Sequence, residues 1–368
     1  MIGLFSIAFR RYIFRVHLWI AVSSGLFFVV LAMTGSLLGF QEKIDHALHF
    51  RLYEVVPAPQ YLPLSEILSS VRKSFPSDDV VAVTMPVSRR DAWQVALPSG
   101  IAFVDPYTGR VLGLRQRGTT FVGVISAIHV SFACGRIGRT AVRWIDFAAL
   151  ALLLSGIQLW WPVRRIGIRF GSLSGGGQMP PARRFWGEVH HSVGALSFIF
   201  LLVLVASGAV LSCEGSVAGL LDRLSRPGTH FVAALVQPGN GSPYVAIDRA
   251  LAIAKTALPA ATPTRMQMPD YGGTYKIEMT SATRLGADVT DALTIDPYAG
   301  RILSDDSSRN ASLAERVLTI TAAIHTGSFF GVIGRAAMAL ASLLVALQAW
   351  SGAMMLWKRQ FAHERSSR

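Results

Sequence analysis

Four long apolar runs limit what this 368-residue chain can fold into. They cover roughly residues 17–40, 142–161, 190–212 and 336–357, and none has a proline in its interior. About 20 helical residues cross a bilayer core, and a helix satisfies its own backbone hydrogen bonds where lipid offers no partner. The runs therefore predict four transmembrane helices. A composition of 51% hydrophobic and 15% charged residues agrees. The first run follows Arg10, Arg11 and Arg15 as a signal peptide would. It is longer than an h-region of about 7–15 residues and has a counterpart in the third run, so it reads as a retained span.

A net charge of +13 invites a nucleic-acid partner, but its distribution speaks for a membrane. Arg10, Arg11 and Arg15 precede the first run, and Arg164, Arg165, Arg169, Arg183 and Arg184 lie between the second and third. Lys358, Arg359, Arg365 and Arg368 follow the fourth, and these three short segments hold only Glu188 and Glu364 as acids. The positive-inside rule then puts both termini and the short loop in the cytoplasm and the two long loops outside, with the lipid bilayer as partner and no nucleic acid. Two cysteines, Cys134 and Cys213, are too few for a disulfide framework; both fall near the external side, which leaves a single bridge open, and they read first as separate packing residues.

The chain repeats itself. Ile128-His129 is followed by Arg139, Ser155-Gly156 and Trp161; Ile324-His325 is followed at identical spacing by Arg335, Ser351-Gly352 and Trp357. Arg11, His17 and Thr34-Gly35 recur at the same spacing as Arg184, His190 and Ser207-Gly208. Between them lie two loops of one plan. The first has helical spacing over 64–75 and short extended runs at 80–85, 92–97 and 101–104, closed by Asp105-Pro106-Tyr107-Thr108-Gly109-Arg110. The second has a helix over 245–257, extended runs at 264–268, 274–279 and 292–295, and Asp296-Pro297-Tyr298-Ala299-Gly300-Arg301. Each half is thus span, α+β module, histidine helix, span. The expected architecture is an α-helical four-span bundle with two external α+β modules, an internal parallel duplication about a pseudo-two-fold axis along the membrane normal. The segments run 1–40, 41–118, 119–163, 164–189, 190–213, 214–312, 313–357 and 358–368. Gly135, Gly138, Gly331 and Gly334 predict a break between each histidine helix and the span that follows.

Residues related by a two-fold axis share one depth. His17 and His190 then pair at the cytoplasmic ends of their spans, and His129 and His325 pair near the external side. Two imidazoles facing across a gap are what a six-coordinate haem iron takes as axial ligands, and bundle cores are common places for such a cofactor. Gly25, Gly35, Gly156, Gly208 and Gly352 would let helices approach or leave room for a flat ring. Arg139 and Arg335 have two readings: contacts to haem propionates or an anionic substrate, or interfacial anchors. His46, His49, His230 and His363 have no matched partner and read as surface residues. The chain shows no Walker A sequence, no Gly-rich dinucleotide loop after a strand and no cysteine cluster for iron–sulfur.

The combined pattern of His17 with Thr34-Gly35, His190 with Ser207-Gly208, the two Asp-Pro-Tyr-x-Gly-Arg turns and the two Ile-His…Gly-Arg…Ser-Gly stretches resembles the PepSY-associated transmembrane family, over about residues 10–358. That family includes inner-membrane ferric-siderophore reductases with b-type haems. The resemblance implies PepSY-like periplasmic modules, two b-type haems on His17/His190 and His129/His325, and reduction of a ferric siderophore docked between the modules. The electrons would come from quinol or a cytoplasmic reductase. No acid or base residue is assigned to the reaction. Two other classes remain open from the residues themselves: a siderophore or ion permease using the histidines as a relay without haem, and a sensory protein whose modules bind a partner.

Overall fold

The computed structural model describes residues 7–116, 118, 120–161, 182–224, 245–269, 273–282, 288–306 and 312–366. Arg164, Arg165, Arg169 and His230 lie outside these. In chain order the helices begin with α1 (Ile7–Leu38), α2 (Gln41–Leu48), α3 (Phe50–Tyr53), α4 (Leu64–Ser74), α5 (Phe121–Ser131) and α6 (Gly135–Trp160). They continue with α7 (Ala182–Ser212), α8 (Glu214–Leu224), α9 (Ile247–Ala257), α10 (Leu313–Thr326) and α11 (Gly331–Ser366). The strands are β1 (Ala82–Thr84), β2 (Trp93–Leu97), β3 (Gly100–Val104), β4 (Val111–Arg115), β5 (Thr262–Gln267), β6 (Tyr275–Ala282), β7 (Asp288–Ile295) and β8 (Ile302–Asp306). Contacts divide the chain into two compact units, one of residues 1–40, 125–215 and 320–368 and one of residues 41–124 and 216–319.

The first unit is a four-helix bundle. α1, α6, α7 and α11 are each long and apolar enough to cross a membrane. Each packs chiefly on two neighbours in the ring order α1–α6–α7–α11. Their apolar side chains face outward as well as inward: Leu26, Phe27, Leu196, Ile199 and Leu340 are exposed, as lipid-facing positions are. Midway along the bundle Ala32, Leu201, Ala341 and Val345 are buried against one another, with Phe28, Val29, Leu153 and Leu204 around them. The helices overrun the apolar runs. α1 begins at Ile7 and α7 at Ala182, because a helix need not stop where the hydrocarbon does and continues through the headgroup layer. His17 and His190 therefore sit more than two turns inside their helices, at the ends of the apolar runs.

In the second unit the two expected α+β modules are joined through a common sheet. Its strands form one eight-stranded antiparallel sheet in the order β4-β3-β2-β1-β5-β6-β7-β8. The halves join edge to edge at β1 and β5, where Val83 pairs with Met266, both fully buried. This junction removes two free edges that would otherwise invite aggregation. α4 and α9 cover one face through Ile67, Val71, Ala250 and Ala254, which close over Val95, Val104, Ile277 and Ile295. Each fully buried aliphatic chain contributes about 1.5–3 kcal/mol. α4 begins after Pro63 with no side-chain cap of its own. The Asp248 carboxylate of α9 supplies one, accepting from Leu64 N at 2.8 Å and Ser65 N at 3.3 Å. On the first half the Asp45 carboxylate of α2 accepts from the Tyr53 hydroxyl and the Arg115 guanidinium, each at 2.5 Å. β4 and β8 were not foreseen, because Val111–Arg115 and Ile302–Asp306 lack the alternation of a half-buried strand.

The repeated Asp-Pro-Tyr turns have a structural task. Asp105 Oδ1 accepts from Tyr107 N at 2.8 Å, and Asp296 Oδ1 accepts from Tyr298 N at 2.8 Å and Ala299 N at 3.0 Å. The Pro106 and Pro297 carbonyls accept from Leu62 N and Val245 N in the segments leading to α4 and α9. Gly109 and Gly300 close the turns at φ 69° and 67°, a region glycine enters without a Cβ penalty. Asp296 is 3% exposed. Burial opposes its ionisation, but the Ala299 and Tyr298 N–H groups and the Arg301 guanidinium outweigh that and hold its pKa below the usual carboxylate value. A depressed carboxylate stabilises the fold above its unfolded pKa, near 4, and loses that contribution as pH falls through the lower folded value. Asp296→Ala should cost about 1–2 kcal/mol at pH 7. Asp296→Asn should keep the turn and make the acid limb of thermal unfolding below about pH 4 shallower. Circular dichroism of the sheet signal against temperature and pH reads both outcomes.

Candidate functional site

All four matched histidines sit in seats of one design, each built from a Ser/Thr-Gly pair on a neighbouring helix. On α1, the Thr34 hydroxyl donates to the Val30 carbonyl one turn back at 2.7 Å. Ser155 on α6 and Ser207 on α7 do the same to Ala151 and Val203, each at 2.6 Å, and Ser351 on α11 reaches Gln348 O at 2.9 Å. Such back-bonding leaves a hydroxyl lone pair free and loosens the helix enough to offer a carbonyl sideways. His129 Nδ1 meets both: Thr34 Oγ1 at 3.0 Å and Leu31 O at 3.0 Å. His325 Nδ1 meets Ser207 Oγ and Leu204 O, each at 3.0 Å. His190 Nδ1 meets Ser351 Oγ and Gln348 O, each at 3.1 Å. His17 Nδ1 meets Ser155 Oγ at 2.8 Å, with the Leu152 carbonyl as its backbone partner.

A carbonyl can only accept, and each hydroxyl proton is committed to its own helix. Nδ1 therefore carries the hydrogen in all four rings, and Nε2 keeps the lone pair. The glycine of each pair completes the seat. A Cβ on Gly35 or Gly208 would stand 2.9 or 3.1 Å from Cε1 of His129 or His325, and one on Gly156 or Gly352 would stand 3.5 Å from Cε1 of His17 or His190. The space expected beside these glycines is thus filled by the imidazole itself, whereas Gly25 faces nothing within 4 Å.

The seats bring His129 and His325 together. The His129 and His325 ring centroids are 6.3 Å apart with the planes at 44°. Burial, and then the neighbouring His325, push His129 down to about 4; burial lowers His325 as well. Both rings are neutral at pH 7 and able to ligate. From His17 to Thr34, the seat of His129, α1 runs 17 residues, about 26 Å at 1.5 Å per residue. The apolar plug around Ala32 and Val345 lies between these levels.

A sharp joint carries each outer histidine. Between α5 and α6 the chain turns through Phe132 and Ala133 at φ 47° and 57° and Gly135 at φ 55°. Between α10 and α11 it turns through Gly327 at φ 75°, a 3-10 turn Ser328–Phe330 and Gly331 at φ 62°. The expected breaks are present, and Gly138 and Gly334 explain their tightness. A Cβ there would stand 1.6 Å from the Ser131 carbonyl oxygen and 2.2 Å from that of Gly327.

Of the other expected residues, Arg139 is exposed and Arg335 half-buried, in the first turns of α6 and α11. Among the described residues, no hydrogen bond or ion pair ties either one to a histidine. His49 donates to the Asp45 carbonyl at 3.1 Å and His46 packs on Tyr53, both on the sheet unit. Cys134 and Cys213 are free. Reading the sequence missed Asp146. This α6 carboxylate has an oxygen 3.8 Å from where a Cβ on Gly208, the seat of His325, would stand. Its signal was present, since a charge inside a span costs about 2.5–3.5 kcal/mol and marks function by default. The repeat hid it, because the matching residue is Ser342.

The sequence model of the family described as PepSY-associated TM region matches residues 14–359. None of the curated proteins compared with the chain matches it. Gly138→Ala and Gly334→Ala are expected to cost about 1–3 kcal/mol each by overpacking the joints. Gly215→Ala, where a Cβ meets nothing within 4 Å, should leave stability unchanged. Thermal unfolding in detergent compares the three.

Proposed function

The chain belongs to the PepSY-associated TM family, and we propose that it is an inner-membrane electron-transfer protein that reduces ferric siderophore iron on the periplasmic face. His129 with His325 would hold one b-type haem and His17 with His190 the other, the second lying nearer the cytoplasm. The observation that carries this reading is the seat itself. Four imidazoles have Nδ1–H committed to a neighbouring helix and Nε2 left for a metal, and the His129 and His325 ring centroids stand 6.3 Å apart. Each pair offers two nitrogen donors, where structural zinc takes four ligands and a haem iron leaves two axial places. Bound there, the haems would supply one-electron transfer through the bilayer.

The protein's own residues do the rest of the work. Thr34, Ser155, Ser207 and Ser351 fix the tautomer and aim each ring, which raises its basicity toward a metal. Gly35, Gly156, Gly208 and Gly352 let the ring approach its helix. The plug of Ala32, Leu201, Ala341 and Val345 excludes water between the two levels. The matched seats and sequence spacings support an internal duplication with both halves in one membrane orientation, and the basic residues support cytoplasmic termini. Ferric siderophore as acceptor rests on the family resemblance. Hard oxygen donors grip Fe(III) harder than Fe(II), so reduction loosens the iron. The shared sheet at β1 and β5 leaves no gap between modules on that line, so a docked siderophore would meet one continuous surface.

The test is a visible spectrum of the purified protein and its variants. A reducible b-type spectrum is expected. His129→Ala and His325→Ala should each remove the same half of it, and His17→Ala and His190→Ala the other half. The dithionite-reduced protein should reoxidise when mixed anaerobically with a ferric siderophore. Loss of different halves from His129→Ala and His325→Ala would refute the pairing. A haem-free protein would favour the permease, and reduced haem unmoved by every siderophore would favour a sensor.

A further inference from the structure

Each histidine level carries one polar side chain that the repeat does not match, Asp146 at the outer one and Gln348 at the inner one. One turn from Gly352, on the face of α11 that seats His190, the Gln348 carboxamide lies against Gly194 of α7. Its Nε2 stands 2.3 Å from where a Cβ on Gly194 would be. The Gln348 backbone carbonyl accepts from His190 Nδ1, while the side-chain oxygen Oε1 is buried with no hydrogen-bond partner among the described residues. An orphaned buried acceptor of this kind is destabilising. The other half spends nothing comparable: the residues at the matched spacings are Leu152 and Ala21. Packing alone is thus served at this position by leucine and alanine, and the amide with its glycine cradle is an addition.

We infer that Gln348 binds the ring oxygen of a membrane hydroquinone, the electron donor for the reaction; this rests on the electron-transfer reading above. The position lies within an apolar span, so a ligand must be lipid-soluble and must bring an O–H to Oε1. A hydroquinone brings that hydroxyl, and after oxidation its carbonyl accepts from the same carboxamide's N–H. In the overall reaction both O–H bonds of the hydroquinone break and the ring becomes a quinone. Its two electrons reduce two siderophore-bound Fe(III) ions to Fe(II), and its two protons pass to water. Atoms and charge balance with no further reductant.

The test uses the full-length protein in lipid nanodiscs, with decylubiquinol and decylubiquinone as probes. Gln348→Leu copies the matched residue Leu152 and should fold. Decylubiquinone binding, followed by tryptophan quenching, is expected to weaken about tenfold in Gln348→Leu, the effect of one lost hydrogen bond. Haem reduction by decylubiquinol should slow to a similar degree while the dithionite-reduced spectrum stays unchanged. Gly194→Ala, which evicts the carboxamide, should behave likewise. Equal binding in wild type and Gln348→Leu would overturn the inference and leave Oε1 to an ordered water. Wild type that binds no decylubiquinone would overturn it as well. The binding measurement decides the site without haem, so a wild-type protein lacking a haem spectrum would instead overturn the electron-transfer reading.

Discussion

An imidazole becomes a defined ligand when one of its nitrogens is committed elsewhere. Here that commitment is a bond from Nδ1–H to a helix carbonyl and to the hydroxyl of a Ser/Thr-Gly pair, made four times. The hydroxyl can accept because its own proton is satisfied one turn back, as Thr34 is by Val30 O at 2.7 Å. The carbonyl can accept because back-bonding tilts it out of the helix ladder. Remove the hydroxyl and the tautomer is no longer fixed; add a Cβ at the glycine and the ring is displaced. Bundle packing follows from the same contacts, since each seat ties a histidine on one helix to a hydroxyl on the next: α1 to α6, α7 to α11, α5 to α1 and α10 to α7.

Much of this arrangement was legible in the sequence, for a physical reason. Spacings that recur along the chain mark their residues, so His129 and His325 stand out from His46 and His49, which have no counterpart at a matched spacing. Hydropathy marks spans because lipid forces backbone groups to bond within the helix. What the sequence held back were tertiary facts. The spacing of Thr34-Gly35 shows that it matters, but only coordinates show that its partner is His129 on another helix rather than a flat ring. The antiparallel pairing of β1 with β5 joins residues 183 apart, beyond the reach of local periodicity. Asp146 and Gln348 were masked by the symmetry that revealed the histidines, because each is matched by an ordinary residue.

Departures from the repeat are where the halves divide their labour. In the sheet unit, Asp45, Tyr53 and Arg115 form a buried cluster on the first half, and the residue at the position matching Arg115 is Asp306. In the bundle, Asp146 stands against the seat of an outer histidine and Gln348 against an inner one. Polar groups in a span are costly to retain, and neither is needed to hold an imidazole. A symmetric scaffold that places two ligand pairs at different depths, with one distinguishing polar group at each, suits a directional process better than a symmetric one.

The most direct measurement is the number and spin state of haems in the purified, full-length protein. Pyridine haemochrome against polypeptide concentration should give two b-type haems per chain. Electron paramagnetic resonance of the oxidised protein should show both as low-spin with two imidazole ligands. A chain that binds none or only one, or a high-spin signal with an open axial position, would contradict four histidines seated as two ligand pairs.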